Sequence, residues 1–173
     1  NAKDESGNGH DGYIVGATLC TNRFEVADSA FTFSAGNFIR VKDTFGESLT
    51  ITCWASNAVP DQISMLWCFG DQQTGPDLDF IWGKVALNTW DITSNLVVNA
   101  FCSYRAKSNE WTQYVTAISQ KKTVLYINGV QVGKAAYRNP SGKPLLINRA
   151  DYPWIGKIDD IRIYNRALSE AEV

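Results

Sequence analysis

The sequence is poor in several things, and each shortage removes a class of function. One histidine, His10, and one methionine stand among 173 residues. A lone imidazole with no nucleophile patterned to it leaves neither a catalytic triad nor a histidine metal cluster to argue for. Cys20, Cys53, Cys68 and Cys102 are the four cysteines, and no two of them form a C-x-x-C pair, so zinc-ribbon and dithiol redox signatures are missing. The formal net charge is only -2 and the basic residues do not cluster, so no nucleic-acid partner is expected. No apolar run approaches the roughly 18 to 20 residues of a membrane span, and no membrane insertion is expected. A signal peptide is also missing, and a chain that starts at Asn1 reads as one processed or cut from a longer protein.

What is present is a globular composition, 45% apolar and 20% charged, in a length that suits one domain spanning residues 1–173. From Tyr13 onward the chain is a series of short alternating runs with turn residues between them. Ala30 to Phe33, Asn37 to Val41, Leu49 to Ala55, Met65 to Phe69, Phe80 to Leu87, Leu96 to Tyr104, Tyr114 to Ile118, Val124 to Val132, Leu145 to Ile147 and Ile158 to Tyr164 all read as strands. Asn128-Gly129 predicts a type I′ hairpin turn, because both residues tolerate positive φ. Ser169 with Glu172 suits the cap of a short terminal helix. Many short strands without an internal helix imply an all-β, two-sheet antiparallel sandwich.

Two features of this series carry chemistry. In the last strand Ile161 and Ile163 alternate with Asp160, Arg162 and Tyr164, a phase that puts Asp159 on the apolar side. A buried carboxylate there needs a cation, a metal or a ring of amide donors. At the other end, Asp4 to Gly12 interleaves Asp and Asn with glycines. That composition suits either a loose leader or hard oxygen ligands curled around an ion. A hairpin about Val59-Pro-Asp-Gln62 would place Cys53 opposite Cys68 and allow a disulfide, although free core cysteines fit an apolar strand better.

Five stretches then carry a resemblance in register: Asp4 to Gly12, Asn37 to Val41, Leu49 to Trp54, Leu125 to Gly129 and Gly156 to Leu168. Together they resemble bacterial LamG-like jelly-roll domains of the concanavalin A-like lectin and glucanase superfamily, relatives of laminin G and pentraxin domains. The resemblance implies that the first and last strands lie side by side and that a structural calcium is held by Asp4, Asn8 and Asp159. Glucanase relatives carry Glu-x-Asp-x-x-Glu on one strand. That run is missing here and Asp77-Leu-Asp79 is the nearest approach, better read as a turn, so no enzyme is expected.

By likeness to pentraxins, a ligand-binding cluster is expected at Asp61, Gln62, Asn148, Arg149 and Asp151, with Tyr152 at the rim. Of the six tryptophans, Trp82 and Trp90 are the candidates for an exposed stacking platform, while Trp54, Trp67, Trp111 and Trp154 read as packed. The resemblance implies a secreted or cell-surface module of a larger multidomain protein that binds carbohydrate without catalysis, accessory to a polysaccharide-active enzyme or an adhesin. Its alternative is a structural or protein-binding LamG-like module.

Overall fold

Alternation dictates two faces for every strand, and two sheets close on each other over the apolar ones. The computed structural model describes residues 2–42, 45–70, 75–91 and 96–173, with backbone alone at 88–91, 96–101, and 103. Within them 14 strands run β1 (Gly12–Val15), β2 (Thr18–Cys20), β3 (Ala30–Phe33), β4 (Phe38–Val41), β5 (Leu49–Asn57), β6 (Ser64–Phe69), β7 (Asp77–Ile81), β8 (Lys84–Asp91), β9 (Leu96–Arg105), β10 (Trp111–Ser119), β11 (Lys122–Ile127), β12 (Val130–Ala136), β13 (Leu145–Ile147) and β14 (Gly156–Tyr164). Sheet I has the order β1-β4-β13-β6-β7-β8-β9 and sheet II the order β12-β11-β10-β5-β14-β3-β2. All the strand pairings are antiparallel.

The core lies between the sheets, with Trp67, Trp154, Phe69, Phe80, Leu49 and Leu125 fully buried. No helix of the described residues is long and apolar enough to cross a membrane. The Asn128-Gly129 turn forms as expected, with φ of 50° and 78°.

Several expectations are corrected by non-local pairing. β5 and β6 are not a hairpin: the chain crosses from sheet II to sheet I between them, so Cys53 faces the core and Cys68 the outer side of sheet I. All four cysteines are free. Burial pushes the Cys53 and Cys68 thiols up to about 12. The Phe80 to Leu87 run is broken by a two-residue turn at Trp82-Gly83, both at positive φ, 53° and 80°. Asp77 and Asp79 are not in a turn. They sit on β7, buried, and point away from the core because Leu78 and Phe80 point into it.

The capping contacts at Ser169 and Glu172 form around a single turn rather than a helix. That turn closes a tail over the outer face of sheet II: Ala167 and Val173 cover Val115, Ala117, Val124 and Tyr126. Thr50 Oγ1 donates to the Arg166 carbonyl and accepts from the Leu168 amide. Arg166, followed by the amide and hydroxyl of Ser169, draws the Glu172 carboxyl down to about 2. Because folding lowers this pKa, the contact is complete above the ordinary value of 4.5 and is lost as pH falls toward 2. Protection against amide exchange at residues 165–173, taken relative to the intrinsic exchange rate at each pH, is therefore expected to fall between pH 4.5 and 2, before protection in β5 and β10 does.

Candidate functional site at one end of the sandwich

The expected calcium clasp is not assembled. β1, which follows the N-terminal segment, is the edge of sheet I and pairs with β4, whereas β14 lies inside sheet II between β5 and β3. The first and last strands are therefore not neighbours. A bulge decides where Asp159 points. Asp159 pairs with Trp54 and Arg162 with Thr52, so two residues of β14 oppose Cys53, and Asp160 takes φ of 53°. The extra residue shifts the phase: Ile158, Ile161 and Ile163 face the core, and Asp159 lies on the outer face beside Trp54.

Its partner is Arg23. The guanidinium binds Asp159 through Nη1 and Asp160 through Nη2, the latter at 3.2 Å, and lies 5.0 Å from the Trp54 ring and 4.4 Å from that of Phe24. Arg162 completes the cluster on Asp160 at 2.9 Å.

Asp4 and Asn8 are engaged elsewhere. The Asp4 carboxylate accepts the Ser6 amide at 2.9 Å and the His10 amide at 3.0 Å, and Asn8 Nδ2 donates to Ser6 Oγ. The side chain of Ser6 and the amides of His10 and Ser6 hold the Asp4 carboxyl well below the usual range. The glycines let the chain curl round this carboxylate, the Gly12 amide closes the loop on the Ala2 carbonyl, and His10 stacks on Phe45. The composition that suggested a loose leader or an ion loop thus has an account in amide hydrogen bonds. Asp4 and Asn8 lie in the segment leading to β1 at the edge of sheet I, with partners of their own, and Asp159 lies on β14 inside sheet II with Arg23, so these three residues do not fit one shared ion. Among the described residues no group of three or more His, Cys, Asp or Glu side chains is placed to hold a metal.

The ligand cluster fares differently, since most of it does meet at one end of the sandwich. Sheet I runs β13-β6-β7-β8-β9 there. The segment after β13, the loop before β6, the Trp82-Gly83 turn and the loop after β9 therefore follow one another along a single crest. The Gly83 amide donates to the Pro60 carbonyl at 2.9 Å, the Ala106 amide to the Gly83 carbonyl at 3.0 Å and the Met65 amide to the Tyr152 carbonyl at 3.0 Å.

At its centre Arg105 binds Asp61 at 3.0 Å. A methyl group on Gly83 would meet Arg105 Nη1 at 2.4 Å and Asp61 Oδ1 at 2.7 Å, so glycine alone lets this ion pair lie against the turn. Trp82 stands at the tip, 65% exposed, in the left-handed region that side-chain-bearing residues avoid. Gln62, Ile63 and Tyr152 are exposed along the same crest.

Two expected ligand contacts are re-placed. Asn148 is 0% exposed and spends its side chain internally: Nδ2 donates to the Asn37 carbonyl at 2.9 Å, while Oδ1 accepts the amides of Arg149 and Trp154 at 2.7 Å each. It builds the loop rather than facing a ligand. Arg149 is clamped by Asp151 at 2.6 and 2.7 Å. Burial opposes its charge, but Asp151, with Cys68 behind it, more than offsets this and its pKa is raised. Trp90, the other candidate for a stacking platform, belongs to the far end of β8 from Trp82, and its side chain lies outside the described residues. Arg105, Ile63 and the Arg23 clamp carry no local sequence signal, because each acquires its role from a distant partner.

A two-sheet sandwich with aromatic and charged loops gathered on one end defines a lectin-like jelly roll. The family model for the concanavalin A-like lectin/glucanases superfamily, of the laminin G type, matches residues 17–173, and the chain belongs to that superfamily. Among solved structures it is similar to domain 4 of an extracellular GH43 arabinanase from Geobacillus stearothermophilus in complex with arabinotriose, with TM-score 0.77 and 19% identity over 99% of this chain and 90% of that one. It is also similar to the ligand-binding domain of botulinum neurotoxin serotype D in complex with N-acetylneuraminic acid, with TM-score 0.76 and 15% identity. There the match takes in 98% of this chain and 46% of that one, so the chain spans about half the length of the neurotoxin domain. At such identities the likeness is one of fold. A search of curated proteins returns no match.

Proposed function

We propose that this domain is a non-catalytic carbohydrate-binding module that holds glycan on the crest around Trp82. The carrying observation is Trp82 itself, a large indole held at positive φ and exposed beside the Asp61–Arg105 pair. Left-handed backbone costs a non-glycine residue about 1–2 kcal/mol. Such a cost is kept where the displayed group has work to do. An indole face stacks on a sugar ring, and flanking Asp61, Gln62 and Arg105 supply donors and acceptors for hydroxyls. The likeness to an arabinanase domain over 90% of its length supports the reading of an accessory module in a secreted or surface-displayed, polysaccharide-active or adhesive protein of bacterial type.

Replacing Trp82 by Asn keeps a residue at ease at positive φ while removing the indole. Trp82→Asn is expected to leave the melting temperature unchanged or raised and to weaken glycan binding roughly tenfold. A glycan array with arabino-oligosaccharides and sialylated glycans, read beside thermal melting, checks this. Equal array signals from the variant and the original protein would remove Trp82 from the site. The array is run with calcium and with a chelator; equal signals are expected, given the internal pairing of Asp4, Asn8 and Asp159.

One observation favours a second reading. Leu19, Phe24 and Val26 are exposed on and beside edge strand β2 of sheet II. An apolar group of that kind supports a protein-binding LamG-like module, and a folded domain that retains no glycan on the array would favour it.

A further inference from the structure

The crest has a second flank. On the outer face of sheet II, where β10, β5, β14 and β3 reach the same end, Trp111, Ser56, Lys157 and Thr32 form one cross-strand row. This row, with Asn109 and Ala58, lines an open cleft of about 250 Å³. That is smaller than the roughly 300–1,000 Å³ of a drug-sized pocket and near the scale of one ring. Trp111 is half-buried, so part of its indole faces the cleft, and Asn109 is exposed with φ of 59°. The loop between the flanks is fixed at both sides: the Ala106 amide binds the Gly83 carbonyl, the Asn109 amide binds the Asn57 carbonyl at 2.7 Å, and Ser108 Oγ binds the Ala58 carbonyl at 2.8 Å. Ala106 to Asn109 is three residue-to-residue steps, at most about 10 Å of chain.

We infer that the Trp111 cleft is a second sugar subsite, and that the ligand of this domain is an oligosaccharide crossing the 106–109 loop from Trp82 to Trp111. This rests on the carbohydrate-binding reading above and adds a length requirement, since one ring cannot bridge both flanks. The chemistry of the lining supports a saccharide: one indole face, the amide of Asn109, the hydroxyls of Ser56 and Thr32, and a single cation, Lys157, with no carboxylate. Lys157 makes the cleft tolerant of a neutral ring and favourable to an acidic one.

The test is an array of neutral and uronic-acid oligosaccharides from one to six units, probed with the original protein and with Trp82→Asn, Trp111→Ala, Asn109→Gly and Lys157→Gln. Asn109→Gly preserves the left-handed backbone and serves as the variant least able to disturb the fold. Trp111→Ala and Asn109→Gly are expected to weaken binding of the longer members by roughly 2- to 10-fold and to leave the one- and two-unit members untouched. Trp82→Asn should weaken all lengths, and Lys157→Gln should act on the uronic-acid series alone. Profiles of Trp111→Ala and Asn109→Gly that match the original protein at every length, or that fall equally at every length, would overturn the second subsite while leaving the Trp82 reading in place. Loss of every signal from the original folded protein would overturn both.

Discussion

Asn148→Ala is expected to destabilise the domain by about 4 kcal/mol, because one buried and two part-buried backbone groups lose their partner at roughly 1–3 kcal/mol each and alanine must also hold a left-handed backbone costing about 1–2 kcal/mol. The groups are the amides of Arg149 and Trp154 and the carbonyl of Asn37, and the residue sits at φ of 63°. Relaxation of the loop and entry of water keep the total below the sum of the parts. Such a loss is a large share of the roughly 5–15 kcal/mol that holds a typical domain folded. Urea unfolding followed by tryptophan fluorescence measures it as a lower midpoint at unchanged slope. Asn148→Asp should also destabilise, since it keeps the acceptor but sets a carboxylate against the Asn37 carbonyl. A stable Asn148→Ala with weakened glycan binding would show instead that the side chain faces ligand.

Arg23→Ala is the second large effect, expected at about 3 kcal/mol or more, the range for removing one partner of a buried ion pair. The side chains of Arg23 and Asp159 are only 17% and 9% exposed, so water replaces the lost cation poorly. Removal leaves Asp159 and Asp160 adjacent and frees the face of Trp54 from the guanidinium above it. Arg162 still reaches Asp160, which leaves Asp159 as the uncompensated charge. Arg23→Ala combined with Asp159→Asn should recover part of the loss, and a double-mutant cycle from thermal or urea unfolding gives the coupling. Additive single effects would show that the pair contributes no more than exposed ion pairs do.

The uneven success of the local reading follows from what each residue needs. Strand identity is a matter of period, and Leu49 to Ala55 or Val124 to Val132 show it in their own residues. The Asn128-Gly129 turn is equally local, because its φ requirement falls on the two residues themselves. Trp82-Gly83 is the same kind of turn with half the signal, since tryptophan is not a residue expected at positive φ. The run from Phe80 to Leu87 consequently read as one strand. In β14 the bulge at Asp160 inverts the phase between Ile158 and Ile161, and strict alternation put Asp159 on the wrong face. Asp77 and Asp79 alternated correctly but were given to a turn, because two carboxylates on a buried strand need neighbours that the local run does not show.

For the site, the pentraxin-like loops come together at one end of the molecule: Asp61, Gln62, Arg149, Asp151 and Tyr152 lie on segments that meet there. Individual roles were less legible. Asn148 and Arg149 look alike as polar loop residues, yet one is the buried frame of its loop and the other is clamped by Asp151.

The amino-acid sequence by itself determined an all-β chain of short strands, its superfamily, and the absence of the residue patterns that catalysis by a triad or paired glutamates requires. Those properties are carried by alternation and by residue type within a few positions. Tertiary structure alone decided that Asp159 meets Arg23 from 136 positions away instead of Asp4 and Asn8, that β5 and β6 part into different sheets, and that Trp82 stands exposed over the Asp61–Arg105 pair. Each of these depends on which strands become neighbours, and that choice minimises free energy over the whole sandwich rather than within any one stretch.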